Sequence, residues 1–172
     1  MRKLMSLTAL ALAAALHPYE AELSSHETAG AASAVHGPRC RKVSAPGTGE
    51  STTEGCTSPF GCVNGQIDRG LLRGTFFATV DMIAPSAGMP THEPPSMLSL
   101  SVTRVFSPDR GGTLTLHSTG VFDTTRGLGA ELSLVTGGTG HWEGATGHLF
   151  VNTQAASATT FEGVMVGTIC LP

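Results

Sequence analysis

The sequence predicts an all-β domain, an antiparallel sandwich or barrel, on three observations. Apolar and polar residues alternate with a period of two through successive segments, glycine-containing turns separate those segments, and no stretch carries a helical period. Composition agrees. Only 13% of the 172 residues are charged, against roughly 25% in an average globular chain, while glycine occurs 22 times. The length suits one domain and an extension. With a formal charge of −3 and two lysines, Lys3 and Lys42, little is available to neutralise a phosphate backbone, so nucleic acid is not an expected partner.

The first segment, Met1 to Leu16, has the form of a signal peptide. Arg2 and Lys3 precede an apolar run from Leu4 to Leu16, too short to span a bilayer. A small-x-small cleavage pattern follows at Ala32-Ser33-Ala34. Residues 1–34 are therefore read as signal peptide and leader, and the mature chain as secreted or periplasmic, with no membrane attachment after cleavage. Residues 35–65, mostly Gly, Pro, Ser and Thr without a period, read as a flexible tether.

All four cysteines lie beyond the leader, which suits an oxidising compartment. Cys56 and Cys62 flank Thr57-Ser58-Pro59-Phe60-Gly61, whose Pro and Gly turn the chain back and favour a local bridge. Cys40 is then left for Cys170, a clasp between the tether and the last strand. No two cysteines have C-x-x-C spacing and the seven histidines are dispersed, so neither a metal nor a cofactor is expected.

The organised domain is read as residues 66–172. From Gly70 to Ile83, Leu72, Phe76, Ala78, Val80 and Met82 alternate with Arg73, Thr75, Thr79 and Asp81, as in a half-buried strand. Ala84 to Ser96 carries four prolines and is read as a loop off the ladder, of a length found in lids and binding loops. Alternation resumes from Met97 to Phe106 with Leu98, Leu100 and Val102. After the Pro108 to Gly112 turn, Thr113 to Thr119 sets Leu114 and Leu116 against His117. Ala130 to Thr136 sets Ala130, Leu132 and Leu134 against Glu131, Ser133 and Val135, and the apolar set is expected inside. Strands near His148 to Gln154 and Thr159 to Ile169 make six in all; Gly163 and Gly167 in the last fit strong coiling or a barrel corner.

Residues 135 to 151 read Val-Thr-Gly-Gly-Thr-Gly-His-Trp-Glu-Gly-Ala-Thr-Gly-His-Leu-Phe-Val. Gly137, Gly138 and Gly140 permit positive φ in a tight reversal, and Gly144 and Gly147 permit a bulge and close approach. This segment resembles the signature of the allene oxide cyclase and dirigent families, a Gly-Gly-Ser/Thr-Gly-x-aromatic turn followed by an x-x-Ala-x-Gly step. The resemblance spans roughly Leu98 to Ile169. It implies an eight-stranded antiparallel barrel with an apolar interior, in which Trp142 plugs one end. Two strands beyond the six would come from splitting Gly70 to Ile83, or from Cys62 to Arg69 and Val121 to Thr125. The first-strand Glu and Asn of the plant cyclases have no counterpart in Asp68 to Gly74, so their catalytic set does not carry over.

With apolar faces inward, Phe76, Val80, Leu100, Leu116, Leu132 and Phe161 are the expected lumen residues. Arg104 interrupts an apolar face and is read as a strand-end residue or a ligand contact, because an inward arginine needs a partner. His141 and Glu143 flank Trp142, which is read as core; His117 and His148 are placed on outer faces. No nucleophile elbow or phosphate loop is present. The expectation is an exported barrel that holds a small apolar ligand without catalysis or is simply filled. The alternative is a cyclase or isomerase working by confinement, which two or more titratable groups facing an open cavity would favour. An incompletely closed barrel would leave a strand edge for a homodimer.

Overall fold

The computed structural model describes residues 37–87 and 96–172; the signal-peptide reading and the part of the proline-rich loop at residues 88–95 lie outside the described residues. Eight strands form: β1 (Arg39–Thr52), β2 (Cys62–Ile67), β3 (Gly74–Pro85), β4 (Met97–Pro108), β5 (Leu114–Asp123), β6 (Leu128–Gly138), β7 (Thr146–Ala155) and β8 (Thr160–Leu171). Each pairs antiparallel with the next, and β8 pairs with β1 to close a barrel. A single 3₁₀ turn, Gly140–Trp142, joins β6 to β7.

The first departure from the sequence reading is β1. Residues 39–52, read as tether, form a long strand whose register with β8 runs from Arg39 opposite Leu171 to Glu50 opposite Thr160. Its inward positions are Val43, Ala45, Gly47 and Gly49, so the alternation carries almost no hydropathy signal. These residues must be small: a Cβ on Gly47 would lie 2.7 Å from Ile67 Cδ1, and one on Gly49 2.7 Å from Val63 Cγ1. β2 falls within Cys62 to Arg69, one of the two places left open for an extra strand.

The second departure is in β3, which continues to Pro85 opposite Leu98 instead of ending before the prolines. Proline is tolerated there because β2 pairs with β3 only as far as Thr79, so the Pro85 nitrogen faces a side with no strand to bond. A bulge between Val80 and Met82 shifts the side-chain parity. Val80 and Ile83 consequently both face the lumen, and Met82, expected inside, is turned out and exposed.

Both disulfides form as read, Cys40 with Cys170 and Cys56 with Cys62. Cys40 and Cys170 sit directly opposite one another on β1 and β8. The signature glycines divide by role. Gly140, Gly144 and Gly147 take positive φ (58°, 70° and 143°). Gly137 and Gly138 do not; they continue β6, and Gly138 provides room, since a Cβ there would lie 2.1 Å from the Trp142 carbonyl oxygen.

The β5–β6 turn fixes how β6 enters the wall. Asp123 Oδ1 accepts from the N–H of Thr125 (2.9 Å) and of Arg126 (3.3 Å), and Oδ2 from Arg126 Nη1 (2.8 Å). The Arg126 side chain and these backbone donors hold the Asp123 carboxyl below its ordinary 3.8 despite the opposing effect of burial. Asp123 thus binds its proton less tightly folded than unfolded. Its stabilisation is present above the unfolded-state value near 4 and is lost as pH falls through the lowered folded value. Asp123→Asn is expected to flatten the decline of stability in acid, read from urea midpoints of both proteins below about pH 4; identical slopes would exclude this role.

Candidate functional site

The barrel has a packed end, a polar belt and an open end. At the packed end Ile67, Leu72, Phe106, Leu114, Leu149 and Ile169 are fully enclosed around Trp142, itself 0% exposed. Trp142 is core, as read. Its neighbours His141 and Glu143 are exposed and take no part in the lumen. Leu116 belongs to this packed cluster and does not reach the cavity, a correction to its expected place among the ligand-lining residues.

Above the core lies a belt of four polar side chains. Arg104 on β4 donates from Nη1 to Glu131 Oε2 (2.6 Å) and from Nη2 to Glu131 Oε1 (2.7 Å), a two-pronged pair with the carboxylate of β6. Nη1 also donates to Ser118 Oγ (2.8 Å), and the Ser118 and Ser133 hydroxyls are bonded at 2.6 Å. Arg104 is 8% exposed and Glu131 9%. Arg104 is therefore not a strand-end residue: it stands inside the barrel with a buried counter-ion.

That counter-ion explains the main error of the sequence reading. Leu132, expected in the lumen, is 42% exposed, and Leu134 is 53% exposed, while Glu131 and Ser133 point inward. A strand has only two faces, so satisfying Arg104 with Glu131 necessarily turns Leu132 and Leu134 out. Room for Glu131 comes from the residue opposite it, Gly120, where a Cβ would lie 2.6 Å from Glu131 Cγ. On the outer wall Leu132, Phe150 and Val166 lie side by side across β6, β7 and β8. His117 is also outside, with the Ser101 and Thr103 hydroxyls each 3.2 Å from its ring nitrogens, and His148 is outside near Phe150.

Beyond the belt the lumen opens in a cavity of about 250 Å³. Of the expected lining residues, Phe76, Val80, Leu100, Arg104 and Phe161 border it. Phe76 forms the boundary with the core: its ring lies over Gly65 and its centroid is 5.5 Å from that of Phe106. Glu131 also borders the cavity, and alternation alone had placed it outside. The signal that finds it is Arg104, an inward cation demanding a carboxylate from a neighbouring wall.

The arrangement can enclose an apolar body and offer it one polar contact at the bottom. Comparison of the chain with protein-family models, with curated proteins and with solved structures finds no match in any of the three.

Proposed function

We propose that the protein is an exported β-barrel of the allene oxide cyclase and dirigent-like type that holds one small apolar molecule in its open half without transforming it. The supporting observation is the cavity, whose wall is almost wholly apolar and whose volume of about 250 Å³ exceeds the ~150 Å³ that suffices for a benzene-sized guest. It lies near the small end of ligand clefts, roughly 300–1,000 Å³, which limits the guest to a compact molecule. The closed eight-stranded barrel and the Trp142 plug support the family type, and two disulfides support an oxidising compartment.

Titration with the neutral dye N-phenyl-1-naphthylamine tests this reading. Saturable binding of one dye per chain is expected, weakened at least ~10-fold by Leu100→Trp, which fills the half-buried mouth, and retained in Phe150→Ser on the outer wall. Absence of saturable binding, or loss only with Phe150→Ser, would exclude the lumen as the site.

A second reading, an isomerase that shapes its substrate by confinement, is favoured by Arg104 and Glu131 both bordering the open cavity. Both carboxylate oxygens and two guanidinium nitrogens are committed to each other, which is why binding without chemistry is preferred.

A further inference from the structure

We infer that the lumen selects uncharged molecules with one hydrogen-bond-accepting oxygen, such as a ketone, ether or alcohol, and rejects carboxylates; this rests on the lumen being the binding site. The guanidinium has five N–H donors in one plane. Three are used, two by Glu131 and one by Ser118. The two left over, Nε–H and the second hydrogen of Nη2, have no acceptor among the described residues and share one edge of the group. Among the described residues the only fully enclosed side-chain nitrogen or oxygen lacking a partner is Trp142 Nε1. The spare Nε–H of Arg104 is therefore within reach of the lumen that Arg104 borders.

Charge decides what it accepts. Glu131 already neutralises Arg104 in a pocket where both are about nine-tenths buried. A carboxylate guest would bring a second negative charge into an apolar space whose described lining has no free cation to match it. A neutral oxygen needs no extra counter-ion and receives a charge-assisted bond, the stronger kind.

The experiment is displacement of N-phenyl-1-naphthylamine at neutral pH by a ten-carbon set: 2-decanone, decanoate and 1-decene. In the wild type, 2-decanone is expected to bind at least ~10-fold more tightly than either of the others, the size of one hydrogen bond to a charged donor. Glu131→Gln, close to the same shape, leaves the Arg104 charge uncompensated and is expected to reverse the preference, raising decanoate above 2-decanone. Decanoate equal to or better than 2-decanone in the wild type, or 1-decene equal to it, would overturn the inference while leaving the lumen as a binding site. If Glu131→Gln does not fold, the wild-type ranking alone decides. Failure of the dye itself to bind would instead remove the proposed function.

Discussion

Glu131→Ala is expected to destabilise the barrel by about 3–5 kcal/mol, the range found when one member of a buried ion pair is removed and the other is stranded. The stranded group here is Arg104, 8% exposed, left with Ser118 as its remaining acceptor. Arg104→Met alone strands the Glu131 carboxylate and is expected to fall in the same range. The double variant Arg104→Met/Glu131→Leu, with apolar side chains of similar length, removes both charges and is expected to recover most of the loss. Urea unfolding of the wild type, Arg104→Met, Glu131→Leu and Arg104→Met/Glu131→Leu forms a double-mutant cycle whose coupling term should be large and favourable. Additive losses would show that the two side chains do not depend on each other, and would undo the explanation given for the outward turn of Leu132.

The second large effect belongs to the seam. Cys40 and Cys170 are 130 residues apart in sequence, so their bridge closes nearly the whole described barrel into one loop. In the chain-entropy description, opening a loop of that length lowers stability by about 5 kcal/mol. Cys40→Ser/Cys170→Ser is expected to show this as a lower urea midpoint. The slope of the transition should also rise, because the unfolded chain is no longer held compact. The Cys56–Cys62 bridge spans only 6 residues, and its removal is expected to have a clearly smaller effect. Equal effects from the two pairs would rule out loop closure as the source.

Much of the architecture was legible because β4 and β5 advertise it. Leu98, Leu100 and Val102, then Leu114 and Leu116, lie on one face of strands whose other face is Ser, Thr and His. β1 was hidden for a steric reason. Its lumen-facing glycines make way for Ile67 and Val63, and a strand whose inner face is two glycines, an alanine and a single valine has almost no hydropathy to detect. β6 was visible as a strand and misread as to side. Its apolar face is the more hydrophobic of the two, yet a single buried guanidinium outweighs it, since leaving that charge unpaired costs more than exposing two leucines. Arg104 on an inward face needs a partner, and Glu131 is the only carboxylate on the strand that supplies one.

Closure by β1 against β8 also sets the costliest contact of the topology. Every other strand meets its next neighbour in the chain, so seven of the eight unions join neighbouring segments, whereas the final joint brings together the first and last strands across the longest loop. Without that joint the same strands would make an open, curling ribbon with two unsatisfied margins, and zipping those margins together is what turns a ribbon into a vessel.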